Sequence, residues 1–342
     1  MSAIYAGFPT ERRQVTFAVV FRTCIRNSWF PRRAPRHPPG GYKRLLIPEA
    51  RASGLRETTV PSDLARYYDV VVDWEKRLAR EMPLLRKILA EVPSRKVLVA
   101  GCGTGGHVLA LAREGFEVIG IDSDPAMVEV AQKKLDAAAE EIRRARNGSV
   151  GIHPDMPAGP VARQTLKASV KLCAIEESAR LRERFGAALC LGNTLPNLSA
   201  PGQLEAALRS LYEVLLPGGI FFIQNLNYDK RWREKTKWFP LLSGRTEDEE
   251  VILFKVAEYG PEFIDFHAIF FTRPLAPGTC WDYRVNTNRQ IPLFEKELRT
   301  LLERIGFEIV STWSDYSGAP FDVRDSSDLL LLSRRPGVVP SR

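Results

Sequence analysis

The chain has 342 residues, 44% hydrophobic and 26% charged, enough to bury a substantial core without disulfides or metals. Its net charge of +8 resides in residues 1–60, which hold 11 basic and 3 acidic side chains. The remainder is neutral overall, which argues against a basic stripe for nucleic-acid phosphates.

Five cysteines (Cys24, Cys102, Cys173, Cys190, Cys280) without CxxC pairing argue against a disulfide scaffold or zinc site. They point to a reducing, cytoplasmic setting. Residues 1–60 read as a basic, poorly ordered extension; their longest apolar run, near Val15 to Phe21, is too short to cross a membrane. A domain is expected over 61–335. "SDLARYYDVVVDWEKRLAREMPLLRKILAEV" predicts a helical stretch capped by Ser62 and kinked or broken before Pro83. Then follow a strand ("KVLVAG"), a helix ("GGHVLALARE"), a strand ("FEVIGID") and a long helix with Pro125 in its first turn. "SVKLCAI" and "GAALCLG" read as short buried strands, "PGQLEAALRSLYEVL" as a helix and "GIFFIQN" as a fifth strand. Apolar strands alternating with helices imply an α/β fold, a parallel sheet covered on both faces. From about 250 to 290 three extended segments in succession predict an antiparallel insertion. The helix "LFEKELRTLLERI" and two strands close the chain.

The glycine loop admits two readings. Gly101, Gly103 and Gly106 satisfy GxGxxG, the dinucleotide fingerprint; Gly101, Gly103 and Gly105 satisfy GxGxG. Both loops let backbone approach a ligand, and both expect an acid after the second strand, here Asp122. The GxGxG loop, the Leu-Pro-Gly-Gly turn of "LYEVLLPGGIFFIQN" and the terminal "GFEIVSTW…SSDLLLLSRR" together resemble the S-adenosylmethionine (SAM) methyltransferases. That resemblance implies a doubly wound, mostly parallel seven-stranded sheet of the class I, Rossmann-like kind, with SAM as cofactor.

A narrower resemblance is to the glycine/sarcosine N-methyltransferases. It rests on "VLVAGCGTGGH", "AIEESARL", "ALCLGNTLPNL" and "NLNYD", spread between about Tyr67 and Asp229. It implies that Arg77 holds the SAM carboxylate, a task suited to a planar bidentate donor. Gly101, Gly103 and Gly105 would run beside the methionine and ribose, with Asp122 on the ribose. The stretch from Glu176 to Arg180, with Glu177 and Ser178 at its centre, would flank the adenine. Leu191 and Gly192 would floor the site where donor and acceptor meet, and Asn193 and Tyr228 would orient the acceptor. The implied activity is N-methylation of a small molecule, an amine or amino-acid-like acceptor. A SAM-binding protein without catalysis and an O- or nucleic-acid methyltransferase are the alternatives. "LGNTLPNL" lacks the Asp/Asn-Pro-Pro-aromatic motif of base methyltransferases. No nucleic-acid or membrane partner is expected, and a homo-oligomer stays open. The four scattered histidines offer no metal set, and His107 reads as structural.

Three departures stand out: Val99 replaces that family's Asp, Ala179–Arg180 an Asn-Trp pair, and Leu226 an Arg that grips the acceptor carboxylate. A carboxylate buried beside Leu226 would lack a counter-charge, which tells against glycine as acceptor. Arg231 or Arg233, just beyond Tyr228, could substitute for that Arg, with a solvated helix surface the expected place for each.

Overall fold

The computed structural model describes residues 63–148 and 166–337. The basic extension, Ser62 and the link 149–165 lie outside the described residues. The elements in chain order are α1 (Asp63–Val71), α2 (Trp74–Leu89), β1 (Lys96–Ala100), α3 (Gly106–Arg113), β2 (Glu117–Asp122) and α4 (Pro125–Gly148). Next come β3 (Ala168–Leu172), a 3-10 turn (Ile175–Leu181), β4 (Phe185–Cys190), α5 (Gln203–Val214), β5 (Leu215–Leu226) and α6 (Tyr228–Glu234). Four antiparallel strands follow: β6 (Leu242–Arg245), β7 (Glu249–Tyr259), β8 (Ile264–Pro274) and β9 (Asp282–Gln290). The chain closes with α7 (Glu295–Ile305), β10 (Glu308–Trp313) and β11 (Asp328–Arg334).

The main sheet has seven strands in the order β10-β11-β5-β4-β1-β2-β3. β1 to β5 pair in parallel, and β11 enters antiparallel between β5 and β10. This is the expected doubly wound, mostly parallel architecture. Two apolar layers account for it. On one face, Leu208 and Leu211 of α5 and Leu298 and Leu302 of α7 pack on Phe221 and Ile223. On the other, Leu85, Val108 and Leu111 pack on Val97, Val99 and Phe222. Strands buried on both faces explain the near-continuous apolar runs read from the sequence.

Four expectations are corrected. The first helical stretch is two helices, separated at Asp73, whose carboxylate caps α2 by accepting from the Lys76 N–H at 2.9 Å. Pro83 lies inside α2 and does not end it; packing of Met82, Leu84 and Leu85 outweighs the lost backbone donor. β3 is the sheet edge, half-buried with Leu172 exposed, because no strand among the described residues pairs beyond it. The antiparallel insertion begins at Leu242, earlier than the sequence suggested, since β6 is only four residues long.

α1 leans on the antiparallel sheet, where Tyr67 and Val71 join Val251, Leu253 and Phe270 in a separate cluster. Tyr67 Oη donates to Glu249 Oε2 at 2.9 Å, and Arg66 pairs with the same oxygen at 2.7 Å. No helix among the described residues is long and apolar enough to cross a membrane.

Candidate functional site

The site forms where the parallel strands β1, β2 and β4 end, the usual place for a ligand in an open α/β sheet. The loop after β1 holds Gly101, Gly103 and Gly105 at φ of 66°, 53° and 76°, a left-handed backbone that glycine alone adopts freely. The three glycines have different duties. A Cβ on Gly101 would overlap the Thr194 methyl group, and one on Gly105 would lie 2.9 Å from Ala131 Cβ. A Cβ on Gly103 would meet nothing within 4 Å. Gly101 and Gly105 therefore permit packing, while Gly103 faces open space beside Asp122.

Asp122 ends β2 as expected. Its Oδ2 accepts from the Gly103 N–H at 2.8 Å and its Oδ1 from the Asp124 N–H at 3.0 Å. Burial raises its pKa against those two donors. Each carboxylate oxygen keeps acceptor capacity beyond its one backbone bond, so the residue remains able to take ligand hydroxyls.

Arg77 projects from α2 to the same place. Its Nε donates to Glu81 at 3.0 Å and its Nη1 to Tyr68 Oη at 3.0 Å. Its Nη2 lies 3.4 Å from where a Cβ on Gly192 would stand. Gly192 has φ of 75°, and its N–H donates to Gln224 Oε1 at 2.7 Å. Leu191 is buried, and its carbonyl accepts from Thr194 Oγ1 at 2.7 Å. Arg77, Gly103, Asp122, Leu191 and Gly192 thus stand on the loops that the strand ends bring together.

The buried acid near this loop comes from α2 and not from β1. Val99 is enclosed in the apolar layer under α2, where a carboxylate would be unpaired. Glu81 is the acid that appears instead, in sequence one charge among many on an amphipathic helix. Its Oε2 lies 2.6 Å from His107 Nε2, while its Oε1 takes Arg77 and, at 3.1 Å, Arg80. Burial opposes its charge, but the His107 hydrogen bond and the Arg77 charge hold its pKa down at about 2. Burial pushes His107 below its ordinary value, so the imidazole is neutral and its Nε2–H donates to Glu81. Asp69 of α1 completes this wall: its Oδ1 accepts from Trp74 and Thr104 at 2.6 Å each, and its Oδ2 pairs with Lys134 at 2.8 Å.

Asn193 and Tyr228, matched from two separate motifs, meet in space. Asn193 Nδ2 donates to Tyr228 Oη at 2.9 Å, and its Oδ1 accepts from the Leu226 N–H at 3.0 Å. Asn193 sits at φ 63°, a region Asn tolerates better than most residues. Tyr228 is fully buried and its pKa is raised by burial. Its hydroxyl donates at 2.7 Å to Gln290 Oε1, and Gln290 Nε2 donates to Asn197 Oδ1 at 2.7 Å. Gln290 is the last residue of β9, 62 positions from Tyr228, and nothing local in the sequence announces it. These two side chains are held by protein partners and by Gln290, which makes them a rigid floor.

Ser178 faces α5, with its Oγ 2.8 Å from Ser210 Oγ, and Glu177 pairs with exposed Arg180. In the same turn Glu176 Oε1 accepts from Gln203 Nε2 at 2.8 Å, while its buried Oε2 has no partner. Arg233 is exposed and donates to the Arg324 carbonyl at 2.7 Å, as expected of a surface residue. Arg231 is half-buried: its guanidinium lies over the Phe239 ring at 4.7 Å, with Nε buried and without a hydrogen-bond partner. Among the described residues, no group of three or more His, Cys, Asp or Glu side chains is arranged to hold a metal. Cys102 and Cys190 are buried, and burial pushes each thiol up to about 12.

With this geometry in place, comparison with known proteins defines the class. The methyltransferase-domain family model matches residues 73–312, well over half of the chain, and the chain belongs to that family. It is a class I SAM-dependent methyltransferase, an enzyme of the Rossmann-like fold whose cofactor is SAM. The glycine/sarcosine N-methyltransferase of Parasynechococcus marenigrum (strain WH8102) is 27% identical over 258 residues, covering 74% of this chain and 77% of that protein. The glycine/sarcosine N-methyltransferase of Aphanothece halophytica is 26% identical over 270 residues, covering 78% and 87%. Among solved structures, the CcbJ methyltransferase from Streptomyces caelestis superimposes with a TM-score of 0.57 at 22% identity, covering 80% of this chain and 96% of its own. The sugar N-methyltransferase KedS8 from Streptoalloteichus sp ATCC 53650 gives 0.55 at 18% identity, covering 88% and 100%. At such identities the two structures bear on the fold.

The residues present fit SAM. Gly103 leaves open space beside an acid with acceptor capacity to spare, and the Arg77 guanidinium reaches the loop after β4 at Gly192.

Proposed function

We propose that the protein transfers the methyl group of SAM to an amine nitrogen of a small molecule. The observation that carries this reading is the floor itself: Asn193 and Tyr228, from loops after β4 and β5, meet at 2.9 Å beside Leu191 and Gly192. The two relatives named above, both glycine/sarcosine N-methyltransferases, support the choice of nitrogen.

In this reading Arg77 takes the carboxylate of SAM, Asp122 its ribose hydroxyls, and Gly101, Gly103 and Gly105 the path between them. The turn from Glu176 to Arg180, including Glu177, flanks the adenine, with Glu176 Oε2 free to accept from an amino group, while Ser178 anchors that turn to α5. SAM supplies an electrophilic methyl on a good leaving group. The chain's contribution is alignment and exclusion of water rather than acid–base work. Asn193 has both amide hydrogens and its oxygen committed to Tyr228, Gln290 and Leu226, so it fixes the floor against which the acceptor is placed.

Labelled SAM offered with a panel of small primary and secondary amines tests this. Label recovered on nitrogen is the expected result. Label recovered only on hydroxyls or nucleic acid, or SAM bound with no amine labelled, overturns it.

A further inference from the structure

The strand ends away from the glycine loop carry a second cleft, of about 550 Å³. It lies where β4 and β5 begin and the antiparallel β11 ends. The length of β4, about 20 Å, separates it from Leu191 and Gly192. Its charged lining is Arg182, Arg184 and Arg335, with Glu183 and Glu213. Glu183 is already paired with Lys96 and Lys171. Arg184 and Arg335 donate to main-chain carbonyls and not to carboxylates. The Arg182 side chain has no hydrogen-bond or ion-pair partner among the described residues.

One cation suffices to close α5. Arg335 Nη1 alone reaches the carbonyls of Tyr212, Glu213 and Leu215, at 3.0, 3.2 and 2.8 Å. The same guanidinium lies over the Tyr212 ring at 4.7 Å, and its Nε and Nη2 remain to donate elsewhere. Arg184 adds a second guanidinium at the Glu213 carbonyl, which Arg335 already reaches. Arg182 adds a third and caps nothing with its side chain. It closes the turn Ile175–Leu181 at φ 53°, a left-handed backbone that glycine or asparagine ordinarily fills. Neighbouring arginines are spent differently, since Arg209 and Arg304 both pair with Glu205. Three guanidinium groups therefore meet at one cleft, and among its lining residues only the Glu213 carboxylate is left to answer them.

We infer that this cleft is a second ligand site, and that its ligand is a small phosphorylated anion carrying at least two negative charges. A planar guanidinium fork meets phosphate oxygens two at a time. Glu213 offsets one of the three cations, so a dianion matches the charge that remains. Arg182 ends the turn placed above beside the adenine, so the occupant and the cofactor are held by one segment. The inference does not depend on the amine reading, because the cleft and the acceptor floor lie at opposite ends of β4.

The test uses the full chain saturated with S-adenosylhomocysteine, the demethylated product, so that the donor site is filled. Pyrophosphate is titrated by calorimetry, with acetate as the singly charged comparison. The natural protein is expected to bind one pyrophosphate, about tenfold or more tightly than acetate. Arg182→Gln and Arg184→Gln should each weaken pyrophosphate binding by about fivefold or more. Arg143→Gln, on α4 and outside the cleft, should leave it unchanged. Arg182→Gln should also leave the melting temperature unchanged, so it decides the matter if Arg184→Gln loosens the end of α5. No saturable pyrophosphate binding overturns the inference. So does binding undiminished in Arg182→Gln, or weakened equally by Arg143→Gln, which would mean diffuse attraction to surface charge. None of these readouts requires methyl transfer, so failure to label any amine would count against the amine reading alone.

Discussion

The donor loop and the antiparallel sheet face the same site but are built on opposite terms. At the loop, backbone does the work. Gly101 and Gly105 are fixed by their packing on Thr194 and Ala131, and Asp122 is tied to the Gly103 N–H. At the sheet, side chains do the work, with Gln290 reaching Asn193 and Tyr228. A backbone-built site tolerates almost no variation, whereas a site made of side chains on a strand can change its ligand by single substitutions. Conserving the donor while varying the acceptor is the natural outcome.

The largest effect should come from the backbone half. Gly101→Ala forces a left-handed residue costing about 1–2 kcal/mol and drives its methyl into Thr194. Thermal melts and SAM calorimetry should show a destabilised protein without measurable SAM binding. Adding Thr194→Ser, which removes the opposing methyl and keeps the hydroxyl, should recover part of the loss. Asp122→Ala should then lower SAM affinity by about 10- to 100-fold; unchanged affinity in calorimetry would remove the ribose assignment.

The acceptor half should respond differently. Gln290→Met takes the acceptor from the Tyr228 hydroxyl and should cost about 1–3 kcal/mol in denaturant unfolding. It should raise the acceptor KM while leaving SAM affinity unchanged. Equal losses on both sides would erase the contrast between the two regions.

A pH experiment probes the wall under α2. His107 is neutral in the folded protein and its pKa is lowered by burial. The unfolded chain therefore binds a proton that the folded one refuses, and stability should fall as pH drops below about 6.5. Glu81, held at about 2, contributes stability that is present above its unfolded value and lost only as pH falls toward 2. His107→Gln keeps a donor for Glu81 and should flatten the loss beginning near pH 6.5, measured by denaturant unfolding across pH. The smallest effect is expected of Ser178→Ala. It loses one buried hydroxyl pair with Ser210, about 1 kcal/mol of stability, with SAM binding unchanged.

Sequence made the donor half legible because its determinants are local. Glycines at set spacing, an acid at a strand end and a turn before β5 each announce themselves within a few residues. The break at Asp73 is hidden because helical apolar spacing continues across it, and Pro83 suggests a stop that packing overrides. The acceptor half was hidden for a different reason. β7 carries apolar side chains on both faces, with Phe254 on the outer one stacked against Trp238 at 5.8 Å. Alternation therefore does not reveal which face turns inward. Gln290 becomes meaningful only when β9 is laid beside loops nearly a hundred residues away.

The short helix α1 carries a consequence of its own. Tyr67 is bonded to Glu249 on β7, while Asp69, two residues on, is bonded to Thr104 in the glycine loop and to Lys134 on α4. One rigid turn thus fastens the donor's cradle to the acceptor's wall, and neither can be displaced without pulling on the other. The two binding equilibria are then linked through a single lever. By thermodynamic reciprocity, whatever factor one ligand imposes on the other's affinity must be returned in equal measure.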